Sequence, residues 1–218
     1  ENLNAADYAG DVEIRVGDIT RADGVSSQQL VTGAGNDTFI FDAVGVVNAG
    51  FTSGDTITAG ACTDTLVLDG NTATIPGTPR IDHQTSEWDN LSGIDVLRFA
   101  DNAGVANVGN AARVANAGGA YYAQIDNDFV SQTDAGNRLT VVNNDGTLNW
   151  NTESDLVLDL RGLSQSKWVT FVGANGVGNA GISSNRIVVD DISANQNQIL
   201  DGGDTDVRVT TTPGYGGG

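Results

Sequence analysis

Three aspartates in the first third of the chain share a local pattern that suits the binding of a hard cation. Each of Asp37, Asp55 and Asp64 is followed by threonine and then by a large apolar residue, and glycines stand shortly before all three. Glycine permits a tight turn that aims backbone carbonyl oxygens inward. Carboxylate and carbonyl oxygens are the ligands that Ca²⁺ prefers. The predicted ligands in this stretch are Gly33, Gly35, Asp37, Asp55, Gly60 and Asp64.

The spacing of these aspartates predicts that neighbouring loops stack on one another. Asp55 lies 18 residues after Asp37, and Asp64 lies 9 residues after Asp55. A β-roll turn made of two nine-residue halves would place Asp37 and Asp55 on one side and Asp64 on the other. Since Ca²⁺ takes about six to eight oxygens, two stacked loops must share each ion. Ser53 and Cys62 occupy positions where glycine is expected, so we expect few ions, about one to three.

Two later segments carry weaker versions of the pattern. Asp95 keeps the glycine, aspartate and apolar positions, but no neighbour stacks on it at the nine-residue spacing, so we do not expect it at the site. Asp201 and Asp204 flank two glycines shortly before a strand-like run at Val207. This acidic segment is either a further calcium site, with Asp201 and Asp204 as ligands, or a turn with solvated aspartates. Both interpretations stay open.

The elements that must position these residues are short β-strands. Apolar residues, many of them β-branched, cluster in short runs that glycine, asparagine and aspartate separate, and these three residue types favour tight turns. The runs begin at Thr38, Thr65, Val96, Leu139, Leu156, Val169 and Arg186. Helical periodicity is nearly absent. The predicted fold is all-β, a degenerate calcium-binding β-roll or β-solenoid, with a sandwich-like second half as an alternative.

The chain divides into three segments with soft boundaries. Residues 1–75 hold the degenerate calcium-binding repeats, residues 76–125 a spacer with a short helix and a strand, and residues 126–218 a β-rich solenoid or sandwich portion with a glycine-rich tail. We expect one continuous structure rather than three independent folds. In the spacer, Thr85 or Ser86 is predicted to cap a single helical turn, and Trp88 to plug the end of a β layer.

The charge of the chain argues against several classes of partner. There are 28 Asp and Glu against 10 Lys and Arg, a formal net charge of −18. Such a chain repels phosphate backbones and anionic membrane surfaces, so neither nucleic acid binding nor membrane insertion is expected. Self-repulsion of this size also disfavours a compact state unless divalent cations neutralise it. A uniformly acidic, solvated surface is the alternative explanation of the charge.

Residues for catalysis are scarce in the sequence. His83 is the only histidine, so the H-E-x-x-H motif of zinc proteases and any histidine cluster are absent. No nucleophile elbow accompanies His83, although Asp82 is its neighbour. The single cysteine, Cys62, is expected to be buried. We therefore expect a protein that is not an enzyme, and polysaccharide binding or cleavage by a β-solenoid is the nearest enzyme-like alternative.

Residues 31–70 resemble the calcium-binding repeats of the hemolysin-type (RTX) family. The resemblance rests on the run from Gly33 to Asp37, on Gly54-Asp55, and on the segment from Thr63 to Gly70, which follow the nonapeptide G-G-x-G-x-D-x-U-x. Repeats of this kind occur in large RTX adhesins and S-layer-type surface proteins. The resemblance implies bound Ca²⁺, calcium-induced folding after export, and secretion to the bacterial cell surface.

The sequence and this resemblance together predict an extracellular, calcium-stabilised structural protein. Its expected partners are other copies of itself in a surface layer, filament or matrix. The alternative is an adhesin or polysaccharide-binding module, or an accessory domain of a secreted polysaccharide-active enzyme. Such a module would offer an aromatic patch, such as Tyr121 with Tyr122, to a cell-surface polysaccharide. Strand packing, with one ring inward and one outward, is the simpler explanation of that pair.

Overall fold

The protein is described by a computed structural model that covers residues 2–16, 27–43, 51–70, 81–99, 120–143, 155–164, 166–173, 184–189, 199–201 and 206–211. These residues form short strands with very little helix, which confirms the all-β class. In chain order the strands are β1 (Asn2–Ala5), β2 (Glu13–Val16), β3 (Gln29–Thr32), β4 (Thr38–Ala43), β5 (Thr56–Thr58), β6 (Asp64–Gly70), β7 (Ile81–His83), β8 (Leu91–Ser92), β9 (Ile94–Phe99), β10 (Ala120–Gln124), β11 (Arg138–Asn143), β12 (Asp155–Asp159), β13 (Trp168–Gly173), β14 (Ser184–Val189), β15 (Ile199–Asp201) and β16 (Asp206–Thr211). The helical elements in the same ranges are a 3₁₀ helix at Thr85–Glu87 and α1 at Asn127–Ser131. The first residue of every strand-like run predicted from the sequence lies within an observed strand.

The described strands form three sheets in which every pairing is parallel. The four-stranded sheet has the order β1-β3-β5-β8, the seven-stranded sheet β2-β4-β6-β9-β11-β13-β15, and the five-stranded sheet β7-β10-β12-β14-β16. The chain therefore alternates between sheets, and each sheet receives its strands in sequence order. We use the word rung for two successive strands joined at the corner between the four- and seven-stranded sheets. The rungs are β1 with β2, β3 with β4, β5 with β6, and β8 with β9.

The second half of the chain continues the same pattern of parallel strands. Strands β10 to β16 alternate between the five-stranded and seven-stranded sheets and pair only in parallel. A sandwich would be built from antiparallel strands, so the sandwich-like alternative for this half is wrong. The seven-stranded sheet takes strands from all three sequence segments, although the segment boundaries themselves stay a prediction.

In-register apolar side chains build the core behind the seven-stranded sheet. Phe39, Leu66, Leu97, Val141 and Phe171 pair successively across five neighbouring strands, and all of them are fully buried. Because side chains alternate along a strand, this row fixes which face of each strand points inward. The residue two positions before each member of the row therefore also faces the core.

The spacer contributes an aromatic part of the core. The indole of Trp88 is fully buried and stacks between Phe51, at 5.7 Å between ring centres, and Phe129, at 5.2 Å. Trp88 therefore packs in the interior, as its predicted structural role requires. The 3₁₀ helix before it has no side-chain cap, so the cap predicted from Thr85 or Ser86 is wrong.

In the region around β10, the sequence indicates the packing of Tyr121 and Tyr122 but not the short helix α1. Tyr121 is buried and Tyr122 is half-buried, as the strand-packing explanation predicts. The hydroxyl of Tyr122 donates to Asp159 at 2.7 Å. Helix α1 was not predicted. It has five residues, too few to show a helical period, and Asp126 caps it by accepting the Phe129 N–H at 2.9 Å.

Candidate metal centre

At the corner between the four-stranded and seven-stranded sheets, the second and third rungs repeat after 27 residues. The pairings of β3 with β5 and of β4 with β6 each join residues that are 27 positions apart. The corner loops of the second and third rungs, residues 33–37 and 60–64, therefore stack on each other and bring Asp37 beside Asp64. The predicted arrangement of nine-residue halves, with Asp37 and Asp55 on one side, is wrong. Asp55 directly precedes a strand of the other sheet, so its similar local sequence belongs to a different corner.

Glycine allows these stacked loops to touch. A Cβ atom on Gly60 would lie 1.7 Å from the carbonyl oxygen of Gly33, and one on Gly33 would lie 2.1 Å from the carbonyl oxygen of Tyr8 in the first rung. Cys62 follows Gly35 after one 27-residue period and has a φ of 95°, a left-handed conformation that side chains disfavour. Its thiol is exposed, so the expectation of a buried Cys62 is wrong. The absence of a side chain at Gly33 and Gly60 thus allows the backbones of neighbouring rungs to lie in contact.

A ladder of aspartates begins the strands of the seven-stranded sheet. Oδ1 of Asp37 accepts the Val12 N–H at 2.9 Å, and Oδ1 of Asp64 accepts the Asp37 N–H at 2.7 Å. Asp95 continues the ladder, because its Oδ2 accepts the Asp64 N–H at 3.4 Å and its Oδ1 accepts the Ala135 N–H at 3.1 Å. Each carboxylate therefore satisfies a backbone donor of the preceding rung, which ties the rungs together.

The nine-residue spacing does not place Asp95 in this ladder. Asp95 follows Asp64 by 31 residues rather than 27, and a register shift between Asp64 and Thr65 in the pairing of β6 with β9 accounts for one of the four extra residues. A strictly periodic search misses such a shift. The G-x-D-x-U pattern around Asp95 was the available signal, and the nine-residue spacing was the wrong test for it.

Three buried side-chain oxygens in the described residues have no hydrogen-bond partner, and all three belong to this corner. They are Thr32 Oγ1, Asp37 Oδ2 and Asp64 Oδ2. Thr32 ends β3 where the chain enters the corner loop, and Asp37 stands where the chain leaves it. Buried polar atoms are nearly always paired in folded proteins, and an unpaired buried charge is especially costly. A hydrogen-bond donor or a cation bound at this corner would therefore stabilise these three oxygens.

Burial and nearby negative charges make it unfavourable for the Asp64 carboxyl to carry a negative charge without a proton or a bound cation. Burial raises the pKa of the Asp64 carboxyl from 3.8 to about 7. The hydrogen bond from the Asp37 N–H opposes that rise, and the negative charges of Asp37, Asp95 and Asp134 add to it. At neutral pH this carboxyl therefore has a strong tendency to hold either a proton or a cation.

In a buffer that contains a chelator, we expect the free energy of unfolding to fall as the pH rises from about 4 to about 7. The folded state keeps the Asp64 proton above pH 3.8, where the unfolded chain has released it, and loses it as the pH passes about 7. The loss should be on the order of a few kcal/mol. Urea unfolding at a series of pH values measures it. Asp64→Asn keeps an acceptor for Asp37 and should flatten the curve; equal slopes for the two proteins would rule out this role of Asp64.

Asp55 lies at a different corner and has no spare oxygen. Its Oδ1 accepts the Gln28 N–H at 2.8 Å. Its Oδ2 accepts both the N–H of Thr52, at 2.7 Å, and the Thr52 hydroxyl, at 3.1 Å. Burial raises the pKa of Asp55, and these hydrogen bonds oppose the rise. Asp55 is therefore a buried residue that caps a turn, and it is not part of the Asp37–Asp64 pair.

Asp201, the described member of the second predicted site, lies away from this corner. Asp201 is the last residue of β15, at the end of its strand, whereas the aspartate ladder lies where the strands of the same sheet begin. Asp204 lies outside the described residues. A calcium site at Asp201 and Asp204 therefore stays a prediction.

Calcium fits the Asp37–Asp64 pair in the type of ligand that the pair offers. Each residue presents a buried carboxylate oxygen without a hydrogen-bond partner, and hard cations prefer such oxygens. Within the ranges that the structure describes, no group of three or more His, Cys, Asp or Glu side chains is placed to hold an ion. The remaining ligands of a bound ion would therefore be hydroxyl and carbonyl oxygens and water.

Comparison with known proteins does not extend this account. No protein-family model matches the chain, and neither does any curated protein or solved structure. In the part of the chain that the structure describes, no helix has the length and apolar character needed to cross a membrane.

Proposed function

We propose that this chain is a secreted, calcium-stabilised structural protein of a bacterial surface, folded as a parallel β-solenoid that assembles with copies of itself. The observation that carries the proposal is the pair of buried, unpartnered carboxylate oxygens of Asp37 and Asp64 on adjacent rungs. A Ca²⁺ ion between them would balance two negative charges, remove their repulsion and join two rungs. The corner supports the choice of residues that would hold the ion, and the resemblance of residues 31–70 to RTX repeats supports the surface location.

The surroundings of the one histidine support a structural role over a catalytic one. His83 is buried, and its Nδ1 lies 2.6 Å from a carboxylate oxygen of Glu87. Its ring packs 5.5 Å from that of Trp88 and 6.3 Å from that of Phe99. A histidine held in an aromatic core is well placed to pack and poorly placed to reach a substrate.

The first rung offers a surface for a second copy of the chain. Among the described strands, β1 pairs with β3 and β2 pairs with β4, and a strand from a second copy can pair with the other edge of each. The exposed large apolar side chains in the described residues are Leu3 and Tyr8, and both lie on this rung. A copy stacked on this rung would extend two sheets and cover both side chains, which supports assembly into a filament or layer.

Removal of calcium tests this function. We expect a chelator to reduce the β-sheet signal in circular dichroism and the particle size in light scattering, and added Ca²⁺ to restore both. Mg²⁺ should restore less, since it demands a tighter octahedral shell and gives up its water reluctantly. A chelated sample that keeps its spectrum, its particle size and its melting temperature would refute a calcium-stabilised assembly.

A second candidate function is polysaccharide binding, which a groove beside β9, β11 and β13 of the seven-stranded sheet favours. The groove has a volume of about 610 Å³ and is lined in part by Asp95, Asp134, Arg138, Trp168 and Thr170. The Arg138 guanidinium lies 5.8 Å from the centre of the Trp168 ring. The carboxylate of Asp134, the hydroxyl of Thr170 and the indole of Trp168 in one groove suit the hydroxyl groups and apolar faces of a sugar chain. Co-sedimentation with an insoluble polysaccharide in the presence of Ca²⁺ distinguishes the candidates, because only a binding module should be retained.

A further inference from the structure

Thr32 differs from the residues that occupy the equivalent inward-facing position on the neighbouring rungs. It is buried at the end of β3, on the same face as Leu30. The residue beside it in the first rung is Ala5, and the residue one 27-residue period later is Ala59. Alanine therefore fills this inward position on both neighbouring rungs, and packing alone does not call for a hydroxyl. A buried hydroxyl without a partner is unfavourable unless something at the site uses it.

The position of Thr32 relates it directly to the two unpartnered carboxylates. Thr32 and Asp37 flank one corner loop on its inward side, and Asp64 leaves the corner loop stacked on it. The backbones of Gly33 and Gly60 are in close contact, so these two loops lie directly against each other. One corner thus holds a neutral oxygen and two anionic oxygens, all buried and all lacking a donor.

We propose that the Thr32 hydroxyl is a further ligand of the cation that Asp37 and Asp64 hold, and that the ion lies on the core side of the corner. This inference rests on the calcium-binding function proposed above. Two carboxylates and one divalent ion are together neutral, which suits a buried site. A neutral hydroxyl adds a hard oxygen ligand without adding charge. A buried water could pair with the same oxygens, but it would supply no positive charge to the two carboxylates once both are ionised.

Two variants of Thr32 test the proposal, with calcium affinity measured by calorimetry on the full chain. Thr32→Val removes the hydroxyl and keeps the shape, and Thr32→Ala copies the residue found on the neighbouring rungs. We expect either change to weaken calcium binding by about tenfold, while Thr32→Ser, which keeps the hydroxyl, stays within about threefold of the natural chain.

Thr133 provides the matched control, because it is a buried threonine whose hydroxyl is already paired. Its Oγ1 donates to the Val130 carbonyl at 3.2 Å and accepts the Arg138 N–H at 3.3 Å. Thr133→Val should lower stability with and without calcium and leave the calcium affinity unchanged.

The outcomes separate this inference from the function on which it rests. If the natural chain binds calcium and both the Val and Ala variants bind it equally well, Thr32 is not a ligand and the proposed function stands. If the natural chain binds no calcium, the proposed function fails and this inference fails with it. If the Val variant does not fold, the Ala and Ser variants still give the comparison.

Discussion

Replacing both Asp37 and Asp64 by asparagine should abolish the gain in stability that calcium gives the natural chain. Asparagine keeps the Oδ1 acceptors for the Val12 and Asp37 N–H groups, so the rungs stay joined while both negative charges are removed. At a free calcium concentration of a hundred times the dissociation constant, the natural chain should gain about 2.7 kcal/mol. Urea unfolding with calcium and with a chelator measures the difference for each protein.

Two controls separate the loss of a ligand from the loss of a buried or a surface charge. Asp55→Asn removes an equally buried carboxylate whose two oxygens are already hydrogen-bonded. Asp145→Asn removes a carboxylate from a sequence that resembles an ordinary turn, outside the described residues. Both variants should keep the calcium-dependent gain. In chelator at pH 8, the double variant should be at least as stable as the natural chain, because the like charges around Asp64 are fewer. Equal calcium-dependent gains in all the proteins would place the site elsewhere.

Replacing Gly60 by alanine should destabilise the fold by about 3 kcal/mol or more, whether or not calcium is present. The new methyl group would lie 1.7 Å from the Gly33 carbonyl oxygen, and neither atom belongs to a flexible side chain that could move away. The second and third rungs would have to separate, and the hydrogen bond between Asp64 and the Asp37 N–H would lengthen with them. Urea unfolding measures the effect directly.

Gly54 is the matched control for this substitution. A Cβ atom at Gly54 would meet its nearest neighbours, Ser27 and Thr52, at 3.6 Å, an ordinary contact distance. Gly54→Ala should therefore change the free energy of unfolding by about 0.5 kcal/mol or less. Similar losses for Gly54→Ala and Gly60→Ala would show that the corner loops are not in close contact.

The sequence indicates the strands well because their signal is local. The runs at Thr38 and Thr65 are short apolar segments that turn-forming residues bound, and this combination predicts a buried strand. The inward position of Asp37 and Asp64 follows from the alternation of side chains along a strand, since each stands two residues before a core residue. Glycine in the corner loops is equally local, because a close backbone approach tolerates no side chain.

The partners of each aspartate are the part that the sequence does not indicate. Asp55 and Asp64 have the same local pattern, but the length of the connection between rungs decides which aspartates become neighbours. A rung of 27 residues pairs Asp64 with Asp37, whereas the nine-residue period of the RTX nonapeptide pairs the wrong residues. Thr32 carries no motif at all, and only its burial without a partner draws attention to it. Pairing over such distances is a property of the whole fold, so a local pattern does not contain it.

Calcium binding to the natural chain, followed by calorimetry at pH 8 and repeated with the Asp37→Asn, Asp64→Asn double variant, tests the central claim most directly. We expect saturable binding of at least one ion by the natural chain, and loss of that binding in the double variant while it stays folded. A folded natural chain that takes up no calcium at millimolar concentrations, or a double variant that binds it just as well, would contradict the account.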